Sequence, residues 1–382
     1  MMKIEEIKEF LKSKPGYLKK GSGFLALHLE ADIKKCKKAL KELRQELSYP
    51  TIKTIDENLV LRSKWFNGKD WCESYRNMDT DPEPLTKEDW KEILSELPSL
   101  TPIHINHNSE TNNKTLIVWT SDKHIGSSIP SEALYDRKYD EHIFHKRMAS
   151  IYNEVISAFK LHGRFDKVIL ADLGDSLDGY NGFTTRGGHK LPQNLNNKEA
   201  ARVHFFTHKW FYDKIITNDI ANKITILNVC NDNHSGDFGY HANFALQQYG
   251  ELAWPNVEFI NQEKFLDHII IYNRAFVITH GKDKTNRKRG LPLQLNAEVE
   301  SFIMDYVIDR KIGNCDIHVR KGDIHLNDLD MTRKKLSYWN IGSVFGASDW
   351  IMTNFSDTLP SCVFEIVEEG HNNLDSKVIW LD

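Results

Sequence analysis

Strand and helix signals that alternate from Thr115 onward predict an α/β protein with mixed sheets packed into layers, plus a small N-terminal helical domain. Leu116-Ile117-Val118-Trp119, Val168-Ile169-Leu170-Ala171 and Ile224 to Val229 are short, mostly β-branched apolar runs that read as buried strands. Amphipathic stretches near Tyr139–Phe159 and Asn197–Ile216 lie between them, an order that produces βαβ units and a largely parallel sheet. Further strands around Asp267–Thr279 and Cys315–Val319 follow with less helix between them, which points to mixed sheets.

Ahead of this body, Ile4, Ile7, Phe10 and Leu11 recur at helical spacing, and Pro15-Gly16 stops that helix. Leu25 to Leu29 and Ile33 to Leu47 form a second and a third helical stretch, with Asp32 as N-cap of the third. Two helices joined by a turn of about three residues make a helix-turn-helix outline. Leu25, Ala26, Leu29, Ala31, Cys36 and Leu40 are spaced as in bacterial and phage modules of that type, although Glu30 stands where the turn usually has Gly. Lys34, Lys35, Lys37, Lys38 and Lys41 occupy the third helix, so DNA binding is one reading and a three-helix bundle for protein contacts the other. Residues 1–50 carry twelve Lys/Arg against seven Asp/Glu, which suits a polyanion or a solvated helical face.

Residues 51–113 read as a small aromatic-rich connector and linker. Trp65, Phe66, Trp71 and Tyr75 flank Asn67-Gly68, a hairpin signal. Thr86 to Leu97 reads as one capped helix, and the Asn-, His- and Ser-rich stretch from His104 to Lys114 as a linker, which makes His104 and His107 poor ligands.

Composition narrows the class. The chain has 382 residues, a net charge of −4 and five scattered cysteines with no C-x-x-C pair, which argues against a zinc finger and fits a reducing compartment. The charged first residues lack the apolar region of a secretory signal, and no run approaches the ~20 apolar residues of a membrane span. A soluble cytoplasmic protein without membrane contact is expected.

Five short segments, each just past a strand-like run, supply chemistry. They are Asp122-Lys123-His124, Gly174-Asp175 through Asp178, Asp232-Asn233-His234, Thr279-His280-Gly281 and Gly322-Asp323-Ile324-His325. Hard divalent metals take carboxylate and imidazole ligands, and strand ends are where such groups converge in an open α/β sheet. Two metals about 3.5–4 Å apart provide an activated hydroxide, a clamp on phosphoryl oxygens and in-line geometry for phosphodiester hydrolysis.

In type, order and spacing the segments resemble the motifs of the calcineurin-like metallophosphoesterase superfamily: D-x-H, G-D-x-x-D, G-N-H-D/E, a lone H after a strand, and G-H-x-H. The likeness runs from about Thr115 to the C-terminus, within an expected domain of residues 114–382, and implies a layered αββα sandwich. Thr184-Thr185-Arg186-Gly187-Gly188 and Leu191-Pro192-Gln193-Asn194 are similar to stretches in phage-encoded members, which implies a viral or prophage origin and a host cytoplasm. The resemblance implies one metal on Asp122, His124, Asp175 and His325. It implies a second on Asp175 as bridge, Asn233, His280 and Asp323. His234 then protonates the leaving oxygen or steadies the transition state, and Asp178 orients a ligand from outside the coordination sphere.

Three positions depart from the usual pattern or need a role of their own. Ser235 stands where the motif has an acid after the histidine, so Asp237 takes over the orientation of His234 or His234 is loosely held. Asp323 stands where the motif has an imidazole. Either the two-metal site as a whole gains a third carboxylate, which favours Mn²⁺ or Mg²⁺ and a less acidic bridging water, or Asp323 abandons the second metal and the site is weakened. Asp178 falls at the second acidic position of its motif, where it reads as an orienter.

For substrate, residues 282–290 after His280 hold five bases and one acid, placed to track a phosphate backbone or to form an ordinary surface loop. Arg186, His189 and Lys282 are candidate phosphate contacts. The combination favours a DNA-acting phosphodiesterase, a nuclease. A phosphatase or small- or cyclic-nucleotide phosphodiesterase is the alternative within enzymes, and a DNA-binding regulator with an inactive phosphoesterase scaffold the alternative outside them.

Overall fold

A computed structural model describes residues 3–13, 29, 33–46, 59–66, 71–77, 86–95, 101–105, 110–129, 133, 137–285, 290–371 and 374–381. The chain divides into two units, residues 1–81 and 82–382. The stretch 51–113, expected as one connector, is therefore shared between them.

In the first unit, α1 (Ile4–Ser13) and α2 (Ile33–Glu46) form a helical pair. Ile7 and Leu11 pack on Cys36, Ala39, Leu40 and Leu43, because residues spaced by three and four share a helix face. Lys34, Lys37, Lys38 and Lys41 are exposed and Lys35 half-buried. Apart from Leu29, the middle helix and turn of the helix-turn-helix outline lie outside the described residues. The aromatic segment forms an antiparallel hairpin of β1 (Leu59–Phe66) and β2 (Trp71–Asn77); Asn67 and Gly68 are also outside the described residues.

The second unit opens with α3 (Lys87–Ser95) and then alternates as expected: β3 (Lys114–Thr120), α4 (Glu141–His162), β4 (Phe165–Asp172), α5 (Asn197–Thr217), β5 (Ala221–Val229), α6 (Asp237–Ala253) and β6 (Val257–Gln262). Next come β7 (Asp267–Ile271), β8 (Arg274–Thr279), α7 (Ala297–Asp309), β9 (Asp316–Lys321), β10 (Asp328–Arg333), β11 (Leu336–Asn340), α8 (Asp349–Asn354), β12 (Ser361–Glu368) and β13 (Leu374–Trp380). The strands make a six-stranded sheet, ordered β13-β12-β3-β4-β5-β6, and a five-stranded sheet, ordered β10-β11-β9-β8-β7. In the first, β3 to β6 run parallel and β12 and β13 antiparallel; in the second, β8, β9 and β11 are parallel. Both sheets are mixed.

Alternate residues of each central strand serve different layers, which explains why the strands read as continuous apolar runs. Leu116, Val118, Val168, Leu170, Ile224 and Ile226 face α4, α5 and α6 through Phe144, Ile151, Phe205 and Leu246. Their neighbours Ile117, Trp119, Ile169, Ala171 and Leu227 face the second sheet through Phe276, Ile278 and Trp339. On the far side of that sheet, Ala275, Val277, Ile317 and Val319 pack on Val299, Ile303 and Val307 of α7. The result is a four-layer α/β/β/α sandwich. Helix ends are capped locally: Asn196 and Glu199 form a capping box at α5, and Asp140 accepts from the Ile143 amide at α4.

One charged pair lies between the sheets. Arg320 Nε and Nη2 donate to Glu365 at 2.8 and 2.6 Å, and Trp119 Nε1 donates to the same carboxylate at 2.6 Å. Among the described residues, no helix is long and apolar enough to cross a membrane.

Candidate metal centre

Register builds the site. Thr120 pairs with Asp172, Asp172 with Asn228, and Thr279 with Lys321, so parallel strands of both sheets end level with one another. The loops leaving them, 121–125, 173–178, 230–235, 280–283 and 322–325, therefore meet at one edge of the sandwich, where open α/β sheets place their ligands. Backbone bonds tie these loops together: Asp122 N to Gly174 O, His124 N to Asp175 O, and Gly322 N to His280 O, at 2.9–3.0 Å.

The backbone at this edge is strained. Asp122, His124, Asp175, Asp323 and His325 all have positive φ, between 46° and 77°, and are five of the ten such non-glycine residues among those described. Conformations of this kind cluster at functional sites, where surrounding structure holds them. Two glycines allow the close approach. A Cβ at Gly322 would lie 2.0 Å from Ser121 Oγ and 3.0 Å from Asp122 Oδ2, and one at Gly174 would lie 3.0 Å from His280 Nδ1. We expect Gly322→Ala to push Asp122 aside and weaken divalent-cation binding by about 10–100-fold, as disturbing a ligand's support typically does. Calorimetric titration of the variant with Mn²⁺ checks this, and wild-type affinity would show that the loop yields.

The imidazoles are fixed by their outer nitrogens. His280 Nδ1 is 2.9 Å from Leu173 O, His325 Nδ1 is 2.6 Å from Gly346 O, and His124 Nδ1 is 2.8 Å from Asp178 Oδ1. Each acceptor requires a proton on Nδ1 and leaves the Nε2 lone pair pointing inward. These inward atoms face other lone pairs. His124 Nε2 is 3.1 Å from His325 Nε2, and His280 Nε2 is 3.1 Å from Asp175 Oδ2. Asp122 Oδ1 lies 3.5 Å from His325 Nε2 and 3.9 Å from His124 Nε2, and Asp323 Oδ1 lies 3.9 Å from His280 Nε2.

Buried acceptors without hydrogen-bond partners complete the picture: Asp122 Oδ1, Asn233 Oδ1 and His280 Nε2. Orphaned buried polar atoms are rare in folded proteins, and cations are what such facing acceptors hold. Asp122, His124 and His325 form one group able to bind an ion, and Asp122, Asp175 and His280 another. Charge follows the same pattern. Burial raises the Asp122 carboxyl to about 6.

Other expected residues have different surroundings. Asp178 serves two imidazoles, with His234 Nδ1 3.4 Å from the Oδ1 that also takes His124. Asp237, expected to orient His234, instead pairs with Lys284 and is largely exposed, so that expectation is corrected. Ser235, in place of the usual acid, donates to Asp232 and helps close the turn that carries Asn233 and His234. Arg186 is not aimed at open solvent: its Nη1 is 2.8 Å from both the carbonyl and the carboxylate of buried Asp283. Its segment clamps the same turn, through Arg186 N to Asn233 O and Thr185 N to His234 O, each 2.9 Å. His189 is exposed, with its ring over Gly187, and Lys282 is half-buried. Arg287, Lys288 and Arg289 lie outside the described residues.

Several functional groups carry no motif. The carbonyls of Leu173 and Gly346 set two imidazoles, Ser343 Oγ donates to Asp122 O at 2.7 Å, and Phe345 packs 5.4 Å from the His124 ring. The available signal was the small-residue segment Ile341-Gly342-Ser343-Val344-Phe345-Gly346 after a strand.

The fold and site together define a layered α/β/β/α protein with a buried Asp/His cation centre. No protein-family model matches the chain, and no curated protein does. Solved structures similar to it include a Vps29 double mutant from Entamoeba histolytica, at 13% identity and TM-score 0.29, covering 70% of this chain and 99% of that one. A dimetal phosphatase from Danio rerio matches at 6% identity and TM-score 0.37, covering 70% and 99%. A 5'-nucleotidase from Candida albicans matches at 12% identity and TM-score 0.33, covering 72% of this chain and 53% of that one, so the chain spans about half the nucleotidase.

Proposed function

We propose that the protein is a two-metal phosphoester hydrolase whose substrate is a phosphodiester of DNA. The observation that carries the hydrolase reading is the pair of close contacts of 3.1 Å, His124 with His325 and His280 with Asp175, in which each imidazole is oriented by a second contact at Nδ1. Asp122, His124, Asp175 and His325 would hold one ion, and Asp175, Asn233, His280 and Asp323 the other. The carboxylate-rich donor set suits Mn²⁺ or Mg²⁺. When bound, such a pair supplies positive charge for the phosphoryl oxygens and an activated water.

The chain's own groups do the rest. Asp178 is hydrogen-bonded to His124, and the same carboxylate lies 3.4 Å from His234 Nδ1. His234 Nε2 lies 3.9 Å from Asp175 Oδ2, and its side chain keeps 20% exposure, so it sits between the buried centre and the approach of substrate. It is suited to deliver a proton to the leaving oxygen. His234→Asn is expected to lower kcat by about 10²–10⁴-fold while two equivalents of Mn²⁺ still bind. Loss of metal along with activity would make His234 a ligand.

Support for DNA comes from the exposed lysines of α2 and from Lys282 and Lys284 after His280. One observation favours a second reading, a phosphatase or small- or cyclic-nucleotide phosphodiesterase. Lys284 and Arg186 are already neutralised by Asp237 and Asp283, which leaves less positive charge for a polyanion at this edge. Purified protein with Mn²⁺ should be assayed on linear DNA, circular DNA, cyclic nucleotides and p-nitrophenyl esters. Cleavage of the small esters alone removes the nuclease reading. Absence of turnover with every metal leaves a phosphoesterase scaffold.

A further inference from the structure

Beside the turn that carries His234 is a cavity of about 390 Å³. That size falls within the ~300–1,000 Å³ of small-molecule sites. Four rings line it: Trp90, Tyr180, Phe238 and His241. They come from three elements, α3, the loop after Asp178 and the first turns of α6. Tyr180 and Phe238 pack with ring centroids 5.3 Å apart. The Trp90 wall is held by Lys198 of α5, whose ammonium is 3.2 Å from Asp89 and 2.5 Å from Glu92. Ile93 of the same helix is buried in the core.

The polar part of the lining comes from Thr185, Ser235 and Asp237. Thr185 Oγ1 already donates to His234 O, and Ser235 Oγ to Asp232, so both hydroxyls face a ligand as acceptors. Asp237 is a carboxylate with one oxygen on Lys284 and a second to offer. The cavity thus presents flat apolar surface with an acceptor-rich edge. Its natural occupant is planar, apolar on its faces and supplied with N–H or O–H donors. A phosphate does not fit there, because Asp237 repels it. It belongs one residue away, at the centre His234 serves.

We propose that this cavity is the base subsite of the enzyme, holding the nucleobase of the nucleotide whose phosphate lies at the metal centre, with amino-bearing bases preferred. The proposal rests on the phosphoester hydrolase reading and narrows it to nucleotide substrates, either free or at a strand end. Aromatic stacking on a base is worth about 1–3 kcal/mol per ring by truncation, or roughly 5–150-fold in affinity.

The test compares two esters with Mn²⁺ and full-length protein: deoxyadenosine 5′-(p-nitrophenyl phosphate) and the same sugar ester lacking the base. Wild type should prefer the nucleoside ester at least tenfold in kcat/KM, mainly through KM. Trp90→Ala and the exposed His241→Ala should each erode that preference, and Trp90→Phe should restore most of it. Equal kcat/KM on the two esters in wild type, or variants that lower both in parallel, overturns the base subsite while leaving the hydrolase. If neither ester is cleaved, the phosphodiesterase reading fails. Calorimetry with deoxyadenosine itself then decides the subsite: heat that Trp90→Ala abolishes supports it, and no heat with wild type overturns it.

Discussion

Asp175→Asn is expected to cost at least about 10³-fold in hydrolysis, some 4 kcal/mol of barrier. Asp175 stands at the middle of the cluster. One oxygen accepts from the His234 amide at 3.1 Å, and the other lies 3.1 Å from His280 Nε2 and 3.9 Å from His234 Nε2. As the carboxylate shared by both proposed ions, it is the ligand whose neutralisation weakens both at once. Bound manganese should fall from two per chain to one or fewer by elemental analysis.

Stability offers a second readout. Mn²⁺ at 100 times its Kd stabilises a protein that binds it only when folded by about 2.7 kcal/mol per site. That increment should shrink in the variant. Two manganese ions retained in Asp175→Asn would remove the bridging role.

The largest stability effect is expected at Arg320 and Glu365. Their side chains are 1% and 0% exposed, between two sheets. The guanidinium also lies 5.6 Å from the Phe276 ring and 5.4 Å from that of Trp339. Removal of either partner leaves a charge buried without its counter-charge, a loss of about 3–5 kcal/mol. Glu365→Ala takes away the acceptor of Trp119 Nε1 as well, so it should be the worse of the two. The double replacement Arg320→Met with Glu365→Leu should recover most of the loss, since a well-packed apolar pair often equals a buried ion pair. What it does not recover is the Trp119 hydrogen bond, about 1–3 kcal/mol for an orphaned buried donor. Urea unfolding of the four proteins checks the order; single variants within about 1 kcal/mol of wild type would mean that water reaches the pair.

Much of this protein is readable from residue order. Strands that alternate with amphipathic helices announce a layered α/β body, because a central strand covered on both faces must be apolar at every position. The side chains that the loops bring to one edge were legible too: Asp122, His124, Asp175, Asn233, His280, Asp323 and His325 each follow a strand, and a residue's chemistry and its place after a strand are both local properties. Their partners were not local. Asp178 rather than Asp237 meets His234, and Arg186 meets Asp283 rather than solvent, because side-chain direction depends on how loops from two sheets stack. The carbonyls of Leu173 and Gly346 were hidden for a plainer reason: every residue has a carbonyl, so only the folded backbone selects which one receives an imidazole. Residue type specified what the centre is made of, while strand register and sheet stacking decided which atoms face one another.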